Sequence, residues 1–212
     1  VSATSTTSNS ENAGLAAGIL VGNLSNGTID NVSIVNSSVN GQVAGLIVGK
    51  LESGAIRNSF ASGSATSSVS RVATATAGGI AGIMQTGSIE NCGSVVTVSA
   101  GLSLGHYSTL GAGGTVGTMK GNNYSATIIN SYTSANVGIS GSYSSGAGVG
   151  AGAIIGGFAI TSGSTSNQIV NSKYDSTKAT TAIGYSGVTT TGAIADKSLS
   201  QYTPADMLVI HD

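Results

Sequence analysis

The stretch Ala44-Gly-Leu-Ile-Val-Gly-Lys-Leu-Glu-Ser-Gly-Ala-Ile-Arg-Asn58 decides the fold, because the chain repeats it. Ala17-Gly-Ile-Leu-Val-Gly-Asn-Leu-Ser-Asn-Gly-Thr-Ile-Asp-Asn31 precedes it, and Ala77-Gly-Gly-Ile-Ala-Gly-Ile-Met-Gln-Thr-Gly-Ser-Ile-Glu-Asn91 follows, all aligning without a gap. Each reads Ala-Gly, three small or aliphatic residues, Gly, four variable residues, Gly, one residue, Ile, one residue, Asn. Two further copies carry insertions before the asparagine: Ala112-Gly-Gly-Thr-Val-Gly117 leads to Ile128-Ile-Asn130, and Ala151-Gly-Ala-Ile-Ile-Gly156 leads to Ile169-Val-Asn171. Starts at 17, 44, 77, 112 and 151 give units of 27, 33, 35 and 39 residues.

Repeats of this length build stacks, since one unit cannot bury its apolar side alone. Glycine every three to five residues disfavours helix by about 1 kcal/mol at each interior position. Alternating β-branched residues over 28–35 and 126–137 predict strands. The expected fold is therefore all-β: a parallel, β-helix-like solenoid of about five rungs. The added Ser, Gly, Thr and Tyr residues of the longer units are expected in loop insertions. Residues 13–178 form the predicted solenoid, 1–12 a Ser/Thr-rich cap or linker, and 179–212 a cap or coupling segment. A chain that opens at Val1 reads as a mature, cleaved or excised piece of something longer.

Two columns of the stack make physical sense. Asn31, Asn58, Asn91, Asn130 and Asn171 are expected to lie over one another in a turn ladder, each amide bonding its neighbour. Asn31, as a ladder member, is expected to be inaccessible. The preceding column runs Asp30, Arg57, Glu90, an alternation of charge that would help to set register.

On these segments, above all Ala44-Gly-Leu-Ile-Val-Gly-Lys-Leu-Glu-Ser-Gly-Ala-Ile-Arg-Asn-Ser-Phe-Ala-Ser-Gly63, the chain resembles the GLUG repeat of bacterial and protist surface proteins. The resemblance spans residues 13–207, and the run from Asn171-Ser-Lys-Tyr-Asp-Ser176 through Thr189-Thr-Thr-Gly192 looks like the closing segment of such arrays. Thr115 and Val116 depart from the aliphatic strand of the fourth copy. GLUG repeats occur in large adhesins and beside the catalytic domains of IgA-protease-type metallopeptidases. The resemblance implies an extracellular or cell-surface location and an accessory or adhesive role.

The composition argues against several other functions. Only 7% of residues are charged and the net charge is −1, with the seven Lys and Arg scattered singly. Nucleic acids and anionic membranes are bound by clustered cations, so neither is an expected partner. No apolar run is long enough to insert directly into a bilayer. Mean hydropathy of +0.26 argues against a disordered linker. Cys92 is the single cysteine and reads as a small buried hydrophobe. His106 and His211 do not make a zinc-peptidase motif. The dispersed acids suit neither calcium nor a glycosidase pair, and no cofactor is expected.

Sequons fall at Asn23, Asn26, Asn31, Asn36 and Asn123, of which Asn26 and Asn123 are the glycosylation candidates. Tyr107, Tyr124, Tyr132 and Tyr143 sit in or beside the Ser/Gly insertions and are candidate ligand contacts.

Together these features point to a non-catalytic structural or adhesive repeat module. Its partners would be a protein or glycan surface, or further copies joined through the solenoid ends into a filament or surface layer. Two alternatives stand beside it. One is an ice-binding solenoid, which needs a flat face of threonines in register. The other is an accessory domain of a glycan-active or peptidase enzyme.

Overall fold

Each repeat closes one turn of a coil built from four strands and four corners. The computed structural model describes residues 2–4, 15–69, 74–105, 109–121, 125–143, 149–160, 167–184, 195–196 and 200–201. Its strands stack into four sheets, and every pairing among them is parallel. The first wall consists of Ala16–Gly18, Val43–Gly45, Thr74–Gly78, Thr109–Gly113 and Val149–Gly152. The second consists of Val21–Leu24, Val48–Leu51, Ala81–Met84, Val116–Gly121 and Ile155–Ile160. The third runs from Gly27–Asp30 through Gly54–Arg57, Gly87–Glu90, Ala126–Ile129 and Gln168–Val170 to Ala195–Asp196. The fourth, the long wall, stacks Ser2–Thr4, Ser33–Asn40, Phe60–Val69, Gly93–Gly105, Tyr132–Tyr143, Lys173–Tyr174 and Ser200–Gln201. The fold is a parallel β-solenoid.

Like residues stack on like. Ala17, Ala44, Ala77, Ala112 and Ala151 share one register, as do Ile29, Ile56, Ile89, Ile128 and Ile169. The isoleucine column is buried along its length, and each such side chain stabilises the stack by roughly 1.5–3 kcal/mol.

The interior is tighter than a hollow tube. The Ala-Gly strand of the second rung is buried at all three residues, Val43–Gly45, because it is sandwiched between the long wall and the second wall. A Cβ at Gly45 would stand 2.6 Å from Gly82 N, so here one backbone packs directly on another. Only glycine allows that approach.

Two expectations are revised. The strands foreseen over 28–35 and 126–137 are each broken by a corner at the asparagine, giving Gly27–Asp30 and Ser33–Asn40, then Ala126–Ile129 and Tyr132–Tyr143. Among the described residues, part of the Ser/Gly/Tyr-rich insertion lengthens the long wall, whose strands reach 10, 13 and 12 residues in successive rungs. Alternation inside these stretches puts Ala61, Ala65, Val96, Val98 and Ala135 inward, so strand extension buries more apolar surface than a loop would.

The stack also continues past residue 178. Ala153 N and Ile154 N donate to Thr181 O and Ala182 O at 2.8 and 2.9 Å, and Ile183 bridges to Ile155. With Ala195–Asp196 on the third wall and Ser200–Gln201 on the long wall, these residues begin a sixth rung.

Candidate functional site

Two surfaces carry the polar groups that could meet a partner. The first is the corner between the third and long walls. Asn31, Asn58, Asn91, Asn130 and Asn171 all adopt positive φ there, between 48° and 56°. Asparagine enters this left-handed region more easily than other residues with a Cβ. Nδ2 of Asn91 donates to Asn58 Oδ1 and Nδ2 of Asn130 to Asn91 Oδ1, each at 3.3 Å. Asn58 donates instead to Asp30 Oδ1, at 2.8 Å. Backbone N–H groups of Asn31, Asn58, Asn91 and Asn130 each donate to a carbonyl of the next rung at 3.0–3.2 Å.

The asparagine column is exposed throughout, which corrects the inaccessible position expected for Asn31. The left-handed corner turns the amides outward. The inward place falls to the following residue, occupied by Ser59, Cys92, Ser131 and Ser172 in successive rungs, all buried. Each serine hydroxyl donates to the carbonyl two residues back, at 2.6–3.1 Å, and Cys92 Sγ does the same at 3.2 Å. Serine oxygens also receive N–H bonds from the preceding rung, as Ser131 Oγ does from Cys92 N at 3.2 Å. Burial pushes the Cys92 thiol up to about 11. The Asn-Ser pairs of the sequence were the available sign of this inner ladder.

The charge column is in register, Asp30 beside Arg57 and Arg57 beside Glu90, but it does not alternate evenly. Arg57 Nε pairs with Glu90 Oε2 at 3.2 Å, whereas Asp30 is engaged by Asn58. Among the described residues the other ion pair is Lys50–Glu52. Hydrogen bonds from Lys50 and Ser25 hold the Glu52 carboxyl at about 2.

The second surface is the outward face of the long wall. Ser38, Ser64, Thr97 and Asn136 form one column, and Asn40, Thr66, Ser99 and Gly138 form the next outward one. Ser68, Gly101 and Ser140 begin a third. Neighbouring groups stand about 4.8 Å apart across rungs and about 6.7 Å apart along a strand. The strands Ser33–Asn40, Phe60–Val69, Gly93–Gly105 and Tyr132–Tyr143 contain no charged residue. Thr66 and Thr97 lie in different columns, and Thr4, which shares the column of Thr66, is separated from it by Asn40.

Tyr132, one of the candidate ligand contacts, is buried. It is 5% exposed, lies across Gly93 and packs against Phe60. Gly93 leaves a hollow in an outward column, and the ring from the next rung fills it. Burial raises its phenol to about 12. Tyr143 ends a strand, while Tyr107, Tyr124 and the sequon asparagine Asn123 lie outside the described residues. Asn26 is exposed at a positive-φ turn, where its N–H and its Oδ1 both bond Ser53 Oγ, each at 2.9 Å. His106 and His211 lie outside the described residues as well.

Near the far end, Asp175 is buried and accepts from Thr177 N and Ser134 Oγ, both at 2.9 Å. Burial opposes its ionisation, but the bonds from Thr177 and Ser134 outweigh that and hold its carboxyl below the usual range. Among the described residues no group of three His, Cys, Asp or Glu side chains could hold a metal ion, and no helix is long and apolar enough to cross a membrane.

No protein-family model matches the chain, and no curated protein matches it. Among solved structures it is similar to the crystal structure of a putative immunoglobulin A1 protease from Bacteroides ovatus, with a TM-score of 0.52 and 18% identity over 91% of this chain and 68% of that one. The repeat resemblance names the same type of protease. At such low identity, the likeness establishes a shared fold and nothing finer.

Proposed function

We propose that the chain is a non-catalytic, extracellular structural and adhesive module that meets a protein or glycan surface through the outward face of its long wall. The observation behind this reading is the charge-free field of hydroxyls and amides in register on that face. A surface without charge incurs a smaller desolvation penalty on contact than a charged one, and its short side chains lose little rotamer entropy. Repetition supplies many weak, equivalent contacts, which suits adhesion better than turnover. The acids that the sequence offers for catalysis are engaged in structural bonds at Asp30, Glu52, Glu90 and Asp175.

The test is binding to immobilised glycans and host glycoproteins, comparing the parent chain with Thr97→Lys. Loss of about tenfold or more in affinity, with an unchanged melting temperature, is expected. Equal binding by both proteins would refute the reading. Incubation with immunoglobulin A and with a glycan panel is expected to give no cleavage.

A second reading draws on the fold shared with the protease-type protein. The module would be the accessory part of a longer chain whose chemistry lies elsewhere. Expressing it joined to such a catalytic partner would then raise the partner's kcat/KM on a surface-bound substrate and leave it unchanged on a soluble peptide.

A further inference from the structure

One part of the long wall breaks its polar pattern. Among the described residues four large apolar side chains are exposed, and two of them, Val35 at 54% and Val95 at 44%, belong to this wall. Ser62 pairs directly with Val95 on the next rung. On the preceding rung the register runs Ile34 to Ala61 and then Ser37 to Gly63, so Val35 and Asn36 together oppose Ser62. Phe60, half-buried, stands two residues before Ser62 on the same outward face. Three apolar side chains thus surround one hydroxyl, with Val35 and Val95 about 9–10 Å apart across two rungs.

The backbone is shaped for this display. The extra residue on the rung of Val35 is a β-bulge, and Asn36 within it adopts a positive φ of 49°. Bulges re-aim side chains, and this one leaves both Val35 and Asn36 exposed. Asn36 N donates to Ser62 Oγ at 3.1 Å, which fixes the hydroxyl at the centre of the patch. The next outward column adds the hydroxyls of Ser38, Ser64 and Thr97. Apolar contacts around a few placed hydrogen-bonding groups match a pyranose ring, whose C–H face is apolar and whose rim is hydroxyl.

Charge narrows the class. The strands that form the patch contain no charged residue. At the adjoining corner Arg57 is paired with Glu90, and Lys173 lies three rungs beyond Phe60 in its column, about 14 Å away. A carboxylate or sulfate brought onto the valines would lose water without meeting a cation.

We propose that Val35, Phe60 and Val95, with Ser62 and Asn36, form a subsite for a neutral sugar and exclude acidic ones. The inference rests on the adhesive reading above and names the ligand class of the same face.

The test is an array presenting each oligosaccharide with and without a terminal sialic acid or sulfate. The parent chain is expected to bind the neutral member of a pair about tenfold or more tighter than the acidic one. Val35→Ala/Val95→Ala is expected to weaken neutral binding about tenfold with an unchanged melting temperature. Val95→Lys is expected to move the preference towards the acidic members, a reversal that a merely structural role would not produce. Equal binding of neutral and acidic members by the parent, or parent-level binding by the double alanine variant, overturns the inference. Binding to host proteins that survives removal of their glycans and is weakened by Thr97→Lys would overturn it too, yet leave the adhesive reading standing.

Discussion

Asn58 Nδ2 donates to Asp30 Oδ1 at 2.8 Å, so the amide ladder of the corner ends in a carboxylate. Asn130 donates to Asn91 and Asn91 to Asn58, which aligns the amides in one direction and points their N–H groups towards Asp30. Aligned hydrogen bonds polarise one another, and an anion at the N–H end favours that alignment.

The corner therefore has two separable requirements, the left-handed backbone and the amide. Asn91→Ala removes both and is expected to destabilise the chain by about 1–3 kcal/mol. Asn91→Gly keeps the conformation and is expected to cost less, about 1 kcal/mol. Urea denaturation of the two variants measures the difference, and equal losses would deny the backbone its part.

Cys92 occupies a serine position of the inner ladder. Cys92→Ser is expected to fold normally and to lie within about 1 kcal/mol of the parent, because Ser59, Ser131 and Ser172 show how a hydroxyl is satisfied there. In the folded parent the thiol is buried, with a pKa near 11, so iodoacetamide at pH 8 should label it only on unfolding.

Glycine at the first wall is a packing demand. Gly45→Ala sets a methyl group against Gly82 N and is expected to cost about 3 kcal/mol or more. Gly138, on the outward face of the long wall, has nothing within 4 Å of its virtual Cβ. Gly138→Ala should stay within about 0.5 kcal/mol of the parent. Paired thermal melts would show whether backbone contact sets this contrast.

Acid should loosen the stack at both ends. The Glu52 carboxyl is lowered from 4.5 to about 2 by Lys50 and Ser25, so its contribution is present above pH 4.5 and is lost as pH falls towards 2. Asp175 is also depressed and acts in the same direction. Denaturation midpoints followed from pH 6 to pH 2 should fall, and Glu52→Gln should flatten part of that fall.

How much of this was legible in the sequence depends on which residues the stack repeats. Ala17, Ala44 and Ala77, and Ile29, Ile56 and Ile89, recur because every rung needs them, so self-comparison recovered their register. The outward direction of Asn31 was not legible, since it follows from a positive φ that the one-letter pattern does not display. The burial of Tyr132 was not legible because the hollow it fills belongs to Gly93, 39 residues earlier in the chain. The sixth rung escaped notice for a related reason: Asp196 stands in the isoleucine column, and only Thr181-Ala-Ile-Gly184 keeps the motif. The hydroxyl columns of the long wall alternate in the sequence, but serines and glycines at that density also spell a loop.

Register between rungs is best tested by disulfide trapping on the long wall. Ser64 and Thr97 are direct partners, about 4.8 Å apart and within disulfide reach, with both side chains outward. Ser64→Cys/Thr97→Cys is expected to close on air oxidation in the folded chain, while Ser64→Cys/Val98→Cys, whose second thiol points inward, stays open. A pair 64/97 that remains reduced, or a pair 64/98 that closes as readily, would contradict the stack.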